Sequence, residues 1–110
     1  MTIAAQNTLK ISVGSTDFLH LDYQDDLDGT ETLTGTPTVS SSGVGLTVSS
    51  PQIPTSNFYD KLMDRYALAS KHVRWQAVGV TAGSYTVTVT ADTSGGRTLK
   101  YAVSVTVGLS

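Results

Sequence analysis

The chain has no cysteine, so neither a disulfide framework nor a thiolate zinc site can hold it together, and its stability has to come from packing. Charge is scarce as well: charged residues make up 15% of the chain, seven basic against nine acidic, for a formal net charge of -2 at pH 7. Neutralising several phosphates takes a basic patch that such a balance does not supply, which excludes nucleic acid as an expected partner. No apolar run approaches the ~18 residues of a membrane span, and the start MTIAAQNTLKISV lacks the basic and apolar regions of a signal peptide. The expectation is a soluble chain made in the cytoplasm, neither exported by a signal peptide nor membrane-spanning.

What the chain does have is Thr, Val, Ser and Gly, with hydrophobic residues at 39% of its 110 residues. That length suits a single domain covering residues 1–110, and Thr and Val suit a pleated, half-buried surface. Period-2 alternation dominates the last third. Tyr85, Val87, Val89 and Ala91 alternate with Thr86, Thr88 and Thr90; after Thr93-Ser94-Gly95-Gly96-Arg97, the series Leu99, Tyr101, Val103, Val105 and Val107 repeats the pattern. Two alternating runs around a Gly-Gly pair predict a hairpin. Val73, Trp75 and Ala77 form a strand upstream of it, ending at Gly79, with Trp75 as the expected central core aromatic and Tyr85 and Tyr101 near it. Further strands are expected at Leu9, Ile11 and Val13, over residues 18–23, around Thr38 and around Leu46. About seven short strands punctuated by Gly, Ser and Pro predict an all-β, immunoglobulin-like β-sandwich without the cysteine pair of antibody domains.

Residues 51–71, PQIPTSNFYDKLMDRYALASK, break this pattern. Two prolines are followed by Phe58, Leu62, Tyr66 and Ala69 at helical spacing, with Tyr59, Met63 and Ala67 beside them. The spacing predicts one short inserted helix from about residue 57 to 70, with Asn57 as its N-cap. Its apolar surface is broad for a single stripe. Phe58, Tyr59, Leu62, Met63 and Tyr66 are therefore candidate protein-interface residues, the alternative being a helix that covers an open end of the sandwich.

No constellation of residues carries catalysis. His20 and His72 each fall in an expected strand, and no G-x-S-x-G, H-E-x-x-H or phosphate-loop pattern occurs. The carboxylates Asp22, Asp25, Asp26, Asp28 and Glu31 invite a calcium reading, but aligning Gly29 with the EF-hand glycine puts Gln24 at the first ligand position and Gly35 at the last. An acidic, solvated turn is the expectation, with no metal, no cofactor and no catalytic residue.

The run AVGVTAGSYTVTVTADTSGGRTLKYAVSVTV resembles the C-terminal signature of small Ig-like virion proteins of tailed bacteriophages. Thr81-Ala82-Gly83, Tyr85, Thr93, Gly95-Gly96-Arg97-Thr98 and the strand to Val107 are the matching residues. LDYQDDLDGTETLTGTPTVSSSGVGLTVSS is similar, more loosely, to that family's acidic strand and G-L-T-V segment, so the resemblance spans about residues 17–50 and 72–107. It implies a non-enzymatic structural protein carried on the virion and made in the host cytoplasm. The family's roles are head decoration, in contact with the major capsid protein, and adaptor in the tail, neck or baseplate, in contact with tail or fibre proteins. Capsid decoration is the first expectation, with self-association into a homo-oligomer, and the tail adaptor is its alternative; a carbohydrate- or receptor-binding Ig-like module is a further alternative, from a different class of function. The insertion at 51–71 is where the chain departs from the family, and is the segment expected to dock on a neighbouring virion subunit.

Overall fold

A computed structural model describes residues 8–60 and 65–109. Among these residues nine strands follow one another: β1 (Thr8–Ser12), β2 (Thr16–Asp22), β3 (Leu33–Ser41), β4 (Leu46–Gln52), β5 (Phe58–Asp60), β6 (Arg65–Ala67), β7 (His72–Gly79), β8 (Gly83–Thr93) and β9 (Thr98–Gly108). One 3₁₀ turn, Gln24–Asp26, lies between β2 and β3. Two sheets face each other, one in the order β1-β9-β8-β3 and the other β2-β7-β4, and β5-β6 forms a small hairpin of its own. β1 runs parallel to β9, and the other sheet pairings are antiparallel. With β2, β7 and β4 in one layer and β9, β8 and β3 in the other, the order is that of the B-E-D and G-F-C sheets of an immunoglobulin-like sandwich. No helix among the described residues is long and apolar enough to cross a membrane.

Alternation decides which side of each strand is inside. Val73, Trp75 and Ala77 of β7, Leu19 and Leu21 of β2, and Leu46 of β4 meet Val87, Val89 and Ala91 of β8 and Leu99, Val103, Val105 and Val107 of β9 in one buried cluster. Trp75 is fully buried, and Tyr85 and Tyr101 are partly buried against the same cluster. The opposite side of the larger sheet shows Thr38, Ser40, Thr86, Thr88, Thr90, Lys100, Ser104 and Thr106, hydroxyl-rich and free of large apolar side chains.

The matched Gly and Tyr positions are explained by close approach. The Tyr85 hydroxyl donates to the Thr81 carbonyl at 2.8 Å, a bond from the start of β8 back around the corner that precedes it. Its ring covers the β3–β4 turn, where a Cβ on Gly45 would come within 1.8 Å of the Tyr85 hydroxyl oxygen. The edges at β3 and β4 are irregular. β3 contains Pro37 within a register shift between Thr34 and Thr38, and β4 contains Pro51 and a positive φ of 52° at Ser50 within a shift between Ser49 and Gln52.

The inserted segment is not a helix. Residues 58–60 and 65–67 pair antiparallel, with Phe58 opposite Ala67 and Tyr59 opposite Tyr66. The Asn57 side chain does bond a backbone amide, but that of Ala69, at 2.8 Å; in an α-helix twelve residues would separate the two by about 18 Å. The hairpin is closed at its base by Ser70 N–H donating to the Pro54 carbonyl at 2.8 Å, with Ser70 at a φ of 60°. Helical spacing and a two-stranded pairing compete for the same aromatics, and contacts across the chain override a weak local preference. Here the deciding contacts are the Tyr59–Tyr66 edge-to-face pair, with centroids 5.2 Å apart, and Phe58 lying flat on His20.

Because no disulfide joins the sheets, Trp75→Ala is expected to lower unfolding free energy by about 3–5 kcal/mol, measured by denaturant titration. The indole Nε1 has no hydrogen-bond partner among the described residues, so Trp75→Phe, which deletes that buried donor and keeps a ring, is expected to cost clearly less.

Candidate functional site

All eight aromatic residues fall within the described segments. Tyr23, Trp75, Tyr85 and Tyr101 belong to the core or its margin, whereas Phe18, Phe58, Tyr59 and Tyr66 are at least 40% exposed. Those four all lie on the inserted hairpin or on the strand beneath it. The local chain explains why. On β2, Leu19 and Leu21 face the core, which turns Phe18, His20 and Asp22 outward; on β7, Val73, Trp75 and Ala77 turn His72 and Arg74 outward. The register sets His20 beside Arg74 and Asp22 beside His72.

The hairpin folds down over this outer face. The Phe58 ring stacks on His20 at 3.8 Å between centroids and 6° between planes, with His72 5.6 Å beyond His20. Ala67, opposite Phe58, is fully buried. Gln24 Nε2 donates both to Asp22 Oδ2 at 2.5 Å and to the Tyr66 carbonyl at 2.8 Å, tying the hairpin to the end of β2. His72 is buried, and its Nδ1 donates to the Leu68 carbonyl at 2.8 Å. Bonding a carbonyl puts a proton on Nδ1, and Nε2 has no hydrogen-bond partner among the described residues. The Arg74 guanidinium sits 3.8 Å from the centroid of the Phe18 ring. Between sheet and hairpin runs a groove of about 390 Å³, bordered by Asp17, Phe18, Arg74, Ser56, Asn57 and Phe58.

The interface residues expected from sequence do not share one surface. Phe58 faces the sheet, Tyr59 and Tyr66 form a pair on the hairpin's other face, and Leu62 and Met63 lie outside the described residues. Phe18, His20 and Arg74 were not expected as site residues. Their signal in the sequence is parity, since an aromatic out of step with the leucines of its own strand has to point away from the core.

The acidic run forms a second cluster, at the turn ends. Glu31 receives Arg97 Nε at 3.1 Å, Arg97 Nη2, the Thr93 hydroxyl and the Asp28 N–H at 3.1 Å. Arg97 Nη2 also donates to the Asp26 carbonyl at 2.8 Å, and the Tyr101 hydroxyl donates to Asp26 Oδ2. Asp22 Oδ1 accepts the Gln24 N–H at 3.0 Å. Gly95 is required at this turn because a Cβ there would meet Glu31 Oε2 at 2.5 Å. The Glu31 and Asp26 carboxylates thus join the β2–β3 connection to the β8–β9 turn and to β9, whereas Asp22 bonds Gln24. Among the described residues no three His, Asp or Glu side chains come together as a metal-binding group. Tyr23 is buried beside this cluster, and its phenol is pushed well above the ordinary range by burial and by the Asp26 charge.

No protein-family model matches the chain, and no curated protein matches it significantly. Among solved structures it is similar to domains 4 and 5 of the S-layer protein SbsC, at 21% identity and a TM-score of 0.59, covering 98% of this chain and 51% of that one. A longer SbsC structure, residues 31–844, aligns at 22% identity and a TM-score of 0.57 over 97% of this chain and 12% of its own. The PKD domain from the KIAA 1837 protein aligns at 16% identity and a TM-score of 0.51, over 97% and 85%. The chain thus spans about half the length of the first SbsC fragment. At these identities the likeness establishes the fold, an Ig-like and PKD-like β-sandwich.

The bonds from Arg97, then Thr93, then the Asp28 amide hold the Glu31 carboxyl at about 2, against an ordinary 4.5. A lowered folded-state value means stabilisation that is complete above the ordinary value and lost as pH falls towards the folded one. The melting temperature of Glu31→Gln is therefore expected to lie below that of the wild type by a constant margin above about pH 5, and that margin should close between about pH 4.5 and pH 2. Thermal melts across this range check it.

Proposed function

We propose that the protein is a non-enzymatic structural component of a tailed-phage virion, decorating the capsid exterior, and that the outward face of its β5–β6 hairpin is the docking surface. One observation carries the docking assignment: the hairpin interrupts an Ig-like sandwich and exposes the Tyr59–Tyr66 pair, with Tyr66 58% exposed. Rigid aromatics dominate interface hot spots, and one face of a hairpin suffices where many copies bind a symmetric particle.

Support for the virion setting comes from the sequence resemblance and from how its matched residues are used. Glu31, from the looser N-terminal match, is clamped by Thr93 and Arg97 of the C-terminal signature. Tyr85 and Thr81, both in that signature, make the corner bond of the sandwich. The two matched regions thus depend on each other, as parts of one inherited plan would. Similarity in fold to domains of an S-layer protein is in keeping with a structural module.

Tyr59→Ser/Tyr66→Ser removes the pair without touching Phe58 or the buried Ala67. This variant is expected to keep the sandwich folded, with only the small loss of stability that the edge-to-face contact contributes, and to be lost from purified particles. Quantitative mass spectrometry of those particles reads the outcome: copies in the hundreds place the protein on the capsid, and about six to eighteen make it a neck, tail or baseplate adaptor. Its absence from particles overturns the virion role, and a variant retained at wild-type copy number overturns the hairpin as docking surface.

A further inference from the structure

We infer that the groove between the inserted hairpin and the outer face of β2 and β7 is a binding site for a neutral saccharide. The inference rests on the groove alone and does not depend on the virion role.

The first step is shape. At about 390 Å³ the groove falls within the range of small-ligand sites, about 300–1,000 Å³. The sheet (β2 and β7) and the hairpin build it together, and β2 and the hairpin each contribute a phenylalanine ring. Phe18, from β2, is 47% exposed, and Phe58, from the hairpin, is 40% exposed although its ring is stacked on His20. Both rings are also held in place, Phe18 by the Arg74 guanidinium at 3.8 Å and Phe58 by the imidazole at 3.8 Å. Keeping aromatic surface fixed and in water costs free energy that the sandwich core does not recover, since neither ring belongs to the core cluster.

The second step is polarity. Arg74 brings donors only and the Asp17 carboxylate acceptors only; the Ser56 hydroxyl can do either, and Asn57, its Oδ1 taken by Ala69, brings donors. His72 also lines the groove, fully buried, and its Nε2 is without a hydrogen-bond partner among the described residues. An anion would gain from Arg74 and be repelled by Asp17, and a cation would meet the reverse. A sugar carries hydroxyl groups that donate and accept at once, around a ring whose C–H face lies flat on an aromatic π-face. Mixed donors and acceptors of balanced charge beside fixed rings are matched by that chemistry.

The test uses the full chain, isotope-labelled, titrated in NMR with maltotriose, cellotriose, mannotriose, galactotriose and triacetylchitotriose, and with glucose 6-phosphate and glucosamine as charged probes. At least one neutral trisaccharide is expected to shift amides of Phe18, His20, Asn57, Phe58 and Arg74 saturably, leaving the Thr-rich opposite face unmoved. Phe18→Ala and Asp17→Asn, both at exposed positions, are expected to weaken that binding by about tenfold or more while preserving the spectrum elsewhere. Should Phe18→Ala disturb the fold, Phe18→Leu keeps the bulk, removes the π-face and is expected to weaken binding likewise. No groove shifts with any neutral probe at up to about 20 mM overturns the inference, as do shifts with the charged probes alone or shifts located away from the groove. Particle association of the Phe18 variants at wild-type level would leave the virion role standing whichever way the titration falls.

Discussion

The two sheets are kept together by Trp75 and the branched side chains around it, because the chain has no disulfide to put in their place. That constraint fixes the parity of the strands that meet there. Once Leu19, Leu21, Val73, Trp75 and Ala77 must face inward, Phe18, His20, His72 and Arg74 must face outward. The candidate site is built on the reverse side of the core strands. A register slip of one residue in β2 would place Phe18 and His20 inside and destroy core and groove together.

All seven expected strands are present, and the reason is that alternate side chains of each strand are drawn into the core, which writes a period of two into the sequence. The insertion was misread for the opposite reason. Phe58, Tyr59, Tyr66 and Ala67 satisfy a helical spacing, yet in the hairpin Phe58 faces the sheet while Tyr59 and Tyr66 pair on the other side. What separates the two readings is His20, about forty positions away, and no local window contains it. The core was therefore legible and the groove was not: Phe18, His20 and Arg74 are ordinary strand residues until the hairpin is laid over them.

The acidic run was expected to be a solvated turn, yet Asp22, Asp26 and Glu31 are buried. Glu31 is engaged by a guanidinium, a hydroxyl and an amide, and Asp26 by a phenol. The same arrangement accounts for Gly95, whose role is room for a carboxylate oxygen, and leaves Gly96 to supply the φ of 82° at the turn. In the T-x-G-G-R-T stretch, Thr93, Gly95, Gly96 and Arg97 thus have separate physical duties around one partner.

The irregular borders of β3 and β4 bear on how copies of this protein behave when crowded. A straight, uninterrupted border is a template on which the next chain can extend the hydrogen-bonded ladder, and that is the commonest route from a β-fold to fibres. Pro37 and Pro51 remove amide donors, and the two register shifts bend the line those amides would have to form. Along that flank, neighbouring copies can meet through side chains but cannot zip into a common sheet. Crowding along that flank therefore tests the surface side chains of the two strands rather than their backbone.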